Sequence, residues 1–162
     1  MTQMMDRNSI PLHRHTVPSP VGPLILSQGV NGLQSLDWGD DSFDTETDVL
    51  AEAKRQLEAY FRGELKTFEL PFAPMGTPFQ QKVWRRLRQI PYGDTVSYGE
   101  LAAKLGTGPR AVARACATNP LAIFIPCHRV VAASGSLTGY SGGQGVHTKR
   151  ALLRLEGAMP PS

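Results

Sequence analysis

Once ionised to a thiolate, cysteine is a strong protein nucleophile, and this chain has two cysteines, Cys116 and Cys127. Cys127 stands in the run Ile125-Pro126-Cys127-His128-Arg129-Val130, directly after an apolar stretch at 121–125. A thiol at the end of a buried segment is shielded yet reachable. A free thiol titrates near pH ~8.5, so a basic neighbour is needed to ionise it at neutral pH. His128 adjoins Cys127 in sequence, although neighbours in sequence do not always point the same way. A carboxylate that orients the imidazole would complete a Cys-His-acid arrangement. Residues 77–162 hold three acids, Asp94, Glu100 and Glu156. Asp94 falls in a turn and Glu100 in a capping position, which leaves Glu156. On residue grounds alone, Glu156 reads equally well as a surface charge at a helix end. Cys116 is given no catalytic role, although it could pack against the same pocket.

Metal chemistry is a poor fit. Two cysteines and His128 do not complete a zinc ligand set, and no metal is expected. His13 and His15 alternate near the start, where two histidines without partners read as solvated. The first residues lack the basic and apolar regions of a secretory signal, and no apolar stretch nears the roughly 18 residues that span a bilayer. The expectation is a soluble, cytoplasmic protein with free thiols and no membrane partner.

The elements that must position Cys127 follow from period and punctuation. Residues 1–16 read as a loose lead-in. Residues 21–27 and 33–38 read as two short strands joined by the turn Gly29-Val30-Asn31-Gly32. Residues 48–62 have helical period, with Val49, Leu50, Ala53, Leu57, Tyr60 and Phe61 on one face and Gly63 as the stop. Residues 72–78 contain two prolines and a glycine and read as a linker. A helix over 78–89 is expected to bury Phe79, Val83, Trp84 and Leu87 and to expose Arg85, Arg86 and Arg88. Ser97 and Glu100 have capping-box spacing at the start of another helix, which Gly106-Thr107-Gly108-Pro109 ends. A short helix over 110–118 follows, so the outline is helix-turn-helix. Its alanines permit close helix packing, the preferred reading on the residues alone, or approach to a narrow groove. The expected class is α+β: a first domain over 1–73 with a small antiparallel sheet and one main helix, and a mainly helical second domain over 77–162.

Charge divides the same way. The whole chain has net charge +3. Residues 1–76 carry six Lys+Arg against eleven Asp+Glu, a balance of −5. Residues 77–162 carry eleven against three, a balance of +8. A basic half points to a polyanion, with nucleic acid the first candidate, although an ordinary basic surface also fits.

Several blocks recur in order: Gly76-Thr77-Pro78-Phe79-Gln80 with Val83-Trp84, Ile90-Pro91-Tyr92-Gly93, Val96-Ser97-Tyr98-Gly99, Arg110-Ala111-Val112, Asn119-Pro120, Pro126-Cys127-His128-Arg129-Val130 and Gly139-Tyr140-Ser141-Gly142-Gly143. Together the set resembles the O6-alkylguanine-DNA alkyltransferases, strongly over 76–157 and only in general plan before that. The resemblance implies an RNase-H-like plan for the first domain and a winged helix-turn-helix-like second one. It implies single-turnover transfer of methyl and other small alkyl groups from O6-alkylguanine, and more weakly O4-alkylthymine, in double-stranded DNA.

Roles are implied residue by residue. Cys127 would accept the alkyl group, with His128 taking the thiol proton through a water and Glu156 orienting the imidazole. Asn119 would support the chain turn before Cys127. Arg110 would fill the gap left by a flipped guanine, and Ala111 and Arg114 would lie with it against the minor groove. Tyr98 would crowd the neighbouring phosphate and contact the base. Val130, Tyr140 and Ser141 would complete the pocket, with backbone groups of Cys127 and Val130 reading the base edge. The resemblance implies no cofactor, and a monomer with cooperative assembly on DNA left open. The stretch 144–150 is longer than in several relatives, so it is expected as a loop of unsettled shape. Two rivals remain: a turnover cysteine hydrolase, and a damage sensor without chemistry. Related sensors carry Trp in place of the acceptor, so Cys127 argues against the second.

Overall fold

The structure, a computed structural model, describes residues 13–159, which fall into two compact units divided between Met75 and Gly76. In the first unit, β1 (His13–Val17), β2 (Leu24–Gly29) and β3 (Gly32–Trp38) form an antiparallel sheet in that order, with Val17, Leu24, Leu26, Leu33 and Leu36 buried. Val17 pairs with Leu24 and Leu26 with Leu36, so one face carries the buried side chains. Gly32 closes the β2–β3 turn at φ +142°, and a Cβ there would meet the Pro71 carbonyl oxygen at 2.2 Å. The helix α1 (Asp48–Phe61) starts at Thr47, whose hydroxyl accepts from the Leu50 amide. It buries Leu50, Ala53, Leu57 and Tyr60.

Two expectations need correcting in this unit. The lead-in expected over 1–16 lies outside the described residues up to residue 12, as do the residues weighed as a secretory signal. From His13 onward the chain is strand β1, and His15 Nδ1 lies 3.1 Å from the Thr45 carbonyl. The segment 72–78 is not free at its start. The Leu33 amide donates to Pro71 at 2.8 Å and the Ala73 amide donates to Leu33 at 2.8 Å, which ties it to β3.

The second unit begins with α2 (Pro78–Leu87), which has Pro78 in its first turn and a complete capping box between Thr77 and Gln80. Val83, Trp84 and Leu87 are buried, but Phe79 is 36% exposed against the expectation. Side chains of a first helical turn lean back past the helix start, and there Phe79 meets an open cleft with Thr107, Ala111 and Arg114. β4 (Val96–Ser97) leads into α3 (Tyr98–Leu105), and Gly106 at φ +68° ends that helix. Then comes α4 (Pro109–Ala117), so α3 and α4 make the helix-turn-helix. Trp84 Nε1 donates to the Ala115 carbonyl at 2.9 Å and fixes α2 against α4. β5 (Val130–Val131) pairs in parallel with β4, and α5 (Val146–Leu155) completes the unit. The stretch expected as a loop over 144–150 is already helical from Val146, with Gly145 as its cap.

The Ser97 box has both halves, since Ser97 Oγ accepts from the Glu100 amide at 3.0 Å and Glu100 accepts from the Ser97 amide at 2.9 Å. Ser97→Ala should cost about 1 kcal/mol, read as a lower urea midpoint with an unchanged slope.

Candidate active site

The path from α4 to Cys127 is short and strained. The Asn119 amide donates to the Cys116 carbonyl at 3.2 Å, and Asn119 Oδ1 accepts from the Leu121 amide at 2.9 Å. The Asn119 side-chain nitrogen then donates to the Ile125 carbonyl at 2.8 Å and to Cys127 Sγ at 3.2 Å. One side chain therefore closes the turn and touches the sulfur. Within the turn Ile123 has φ +75°, a left-handed conformation that a β-branched residue adopts only under constraint. Residues 121–131 are all buried, and a single 3-10 turn over Cys127–Arg129 presents three consecutive side chains from this buried segment.

Those three side chains face different partners. His128 Nε2 lies 2.8 Å from Glu156 Oε2, with both side chains wholly buried. Arg129 donates to the same carboxylate twice, Nε to Oε1 at 2.8 Å and Nη2 to Oε2 at 3.0 Å, and its Nη1 donates to the Ile90 carbonyl at 2.6 Å. A carboxylate paired with a guanidinium only accepts, so the imidazole must carry its proton on Nε2. His128 Nδ1, buried and without a protein partner among the described residues, then keeps its lone pair. Burial holds the His128 pKa below its usual range despite Glu156, so the ring is neutral near pH 7 and its Nδ1 is a base.

Cys127 differs from the expectation. Its pKa is raised and not lowered. Burial pushes the thiol up, opposed chiefly by the Asn119 hydrogen bond and then by Lys149. The imidazole beside it in sequence is bonded to Glu156. Cys116 is also buried, and its thiol is pushed up to about 12, first by burial and then by Cys127. Burial likewise pushes the Tyr98 phenol up to about 12, so it stays a donor, with its hydroxyl 3.5 Å from the Thr138 carbonyl.

An open pocket of about 500 Å³ lies between α4 and the segment 138–141, and neither Cys127 nor His128 lines it. Tyr98, Arg110, Tyr140 and Ser141 line it, together with Ala113 and Ala117. Tyr98 and Tyr140 are both near enough to the Cys127 sulfur to interact with it electrostatically. Arg110, Ala113, Arg114 and Ala117 form the exposed face of α4, so these two alanines present a flat surface to solvent instead of packing inside, against the reading preferred on the residues alone. Ala111 and Arg114 line the neighbouring cleft with Phe79. Val130 is fully buried and does not line the pocket. Its carbonyl accepts from Lys149 Nζ at 2.6 Å and its amide donates to Cys127, so its backbone groups are already engaged.

Arg129 and Lys149 were missed as site residues. Signals existed for both. Arg129 follows an apolar run that must be buried, and a buried guanidinium needs an acid in a half that has three. Lys149, Leu152, Leu153 and Glu156 share one helical face by their spacing of three and four, so two charged residues lie on the apolar side of α5.

The family model for the 6-O-methylguanine DNA methyltransferase DNA binding domain matches residues 78–158, and that for the ribonuclease-like domain of the same proteins matches residues 12–74. The methylated-DNA–protein-cysteine methyltransferase of Methanosarcina acetivorans is 45% identical over 150 residues, covering 86% of this chain and 95% of that protein. Its namesake from Mycobacterium tuberculosis is 43% identical over 160 residues, covering 93% and 96%. The crystal structure of Mycobacterium tuberculosis OGT in complex with DNA superposes with a TM-score of 0.81 at 45% identity, covering 91% of this chain and 94% of that one. The α+β class and its ribonuclease-like first part agree with the expectation from sequence. With both family models matched in order and 45% identity over nearly the whole of a relative, the chain belongs to the methylated-DNA–protein-cysteine methyltransferase family.

Proposed function

We propose that this protein repairs alkylated DNA by moving a methyl or other small alkyl group from O6 of guanine, and more weakly O4 of thymine, onto Cys127. The observation that carries the reading is a free, buried Cys127 held by Asn119 and followed in the same 3-10 turn by a neutral His128, whose Nε2 is held by Glu156 and whose Nδ1 remains a base. The sulfur attacks the alkyl carbon, the S–C bond forms and the C–O6 bond breaks with its electron pair on oxygen. The thiol proton passes to His128 Nδ1 through a water, and the imidazolium returns it by way of water to guanine N1, which restores both the neutral histidine and the keto base. The product on the protein is a thioether, and no group in the site is placed to cleave it. Each molecule reacts once.

A stacked base hides the alkyl carbon from in-line attack, so the nucleotide must leave the duplex. Arg110 at the pocket edge is suited to fill the gap, Tyr98, Tyr140 and Ser141 to enclose the base, and the small exposed residues of α4 to lie in the minor groove. Lys and Arg of the basic half would meet phosphates, giving affinity with little sequence preference. Among the described residues no helix is long and apolar enough to cross a membrane. Two free cysteines favour a reducing compartment, and we read the protein as a cytoplasmic monomer that binds double-stranded DNA.

Mixing the protein with a duplex containing O6-methylguanine should add one methyl per molecule, located on the Cys127 peptide by mass spectrometry. Product beyond one equivalent, or an unmodified Cys127 in folded protein, rejects the reading. Arg110→Ala should slow transfer from duplex on the order of tenfold, about 1.4 kcal/mol of lost stabilisation of the flipped state. It should leave reaction with the free base O6-methylguanine nearly unchanged, which paired rate measurements would check.

His128 also sets a pH dependence. Its folded pKa lies below the unfolded value of ~6.5, so the unfolded chain takes up a proton that the folded one resists. Stability should be level above about pH 6.5 and fall below it, by up to about 1.4 kcal/mol at pH 5.5. Urea unfolding at pH 7.5 and 5.5 tests this, and the difference should shrink in His128→Gln.

A further inference from the structure

Lys149 is fully buried, and among the described residues no carboxylate lies within ion-pair distance of its ammonium. Its hydrogen bonds go to two backbone carbonyls, Val130 at 2.6 Å and Thr138 at 3.0 Å. Its Nζ also sits 5.7 Å from the centre of the Tyr98 ring. Burying an ammonium without a counter-ion is expensive, and a neutral donor would satisfy two carbonyls at lower cost. The three contacts are informative as a set. Val130 caps the 3-10 turn that bears Cys127, while Thr138 and Tyr98 are walls of the base pocket. Lys149 thus joins the reacting segment to two sides of the pocket from α5.

We propose that Lys149 is a positioning residue for the alkyl transfer, clamping Val130, Thr138 and Tyr98 together and supplying an uncancelled positive charge that favours the anionic sulfur of Cys127 as the reacting species. This rests on the alkyl-transfer reading. The charged and titratable groups around it are Cys127 and His128 from the 3-10 turn, Cys116 from α4, Tyr98 from α3, Tyr140 from the segment after Gly139, and Glu156 from its own helix. Glu156 is held by His128 and Arg129, and among the described residues it makes no ion pair with Lys149. The electrostatic coupling runs both ways: Lys149 favours the ionised form of each cysteine, and each cysteine favours the charged lysine.

The test separates clamp from charge. Lys149→Gln keeps a donor without the charge, and Lys149→Arg keeps the charge. Methyl transfer from an O6-methylguanine duplex is followed by mass on the Cys127 peptide across pH. The Gln variant should shift the rate midpoint upward by about one pH unit, a loss on the order of tenfold at neutral pH, while the Arg variant keeps the wild-type midpoint. A folded Gln variant that is slow at an unmoved midpoint, or an Arg variant displaced as far as Gln, overturns the electrostatic role. If Gln fails to fold, the wild-type protein still decides. Coupling is reciprocal, so the Lys149 ammonium, followed by NMR, should titrate at lower pH once Cys127 is methylated. An unchanged titration overturns the proposal. Wild-type protein that takes no methyl at all rejects the functional reading itself, and the role given to Lys149 falls with it.

Discussion

The Glu156 carboxylate holds the second unit's chemistry together. It accepts from His128 and twice from Arg129, and its side chain is wholly buried. Removing a carboxylate from water is costly unless its lone pairs are filled, and here charged or oriented donors fill them. The cluster joins the end of α5 to the 3-10 turn, and Arg129 continues it to the Ile90 carbonyl ahead of the Pro91 turn. The same bonds fix the imidazole tautomer. Satisfying a buried acid thereby leaves a neutral histidine with a bare Nδ1, a group able to accept a proton.

Burial sets the character of the thiol. A surface thiolate would react with any passing electrophile, whereas Cys127 is covered and its pKa is raised. The acid form therefore dominates at neutral pH. Asn119 and Lys149 oppose the desolvation from two sides, one by a hydrogen bond to sulfur and one by charge. Such restraint suits a residue that is consumed by a single reaction.

The recognition face follows from the opposite economy. Val112, Ala115 and Cys116 anchor α4 inward, and Trp84 bonds to its backbone, which leaves Arg110, Ala113, Arg114 and Ala117 outward. Methyl-sized side chains between arginines let a helix backbone come close to a polyanion while the arginines reach past it. The turn after α4 is tied by Asn119 to the cysteine segment, so the exposed face of α4 and the Cys127 sulfur are joined along one short path.

Sequence alone determined the elements with strong local causes. The Ser97–Glu100 box, the breaks at Gly63 and Gly106, the 48–62 period and the basic second half all act within a few residues, and each has the expected place. Local reasoning failed where neighbours in space decide. β1 needs β2 to exist as a strand, Phe79 is exposed because the fold leaves an open cleft at the start of α2, and the 3-10 turn directs Cys127 and His128 to different partners. Whether Glu156 was a surface charge or the partner of His128 could not be read from spacing across 28 residues. Tertiary packing decided it, because only the folded core makes an unpaired acid too costly and so brings Arg129, His128 and Glu156 to one point.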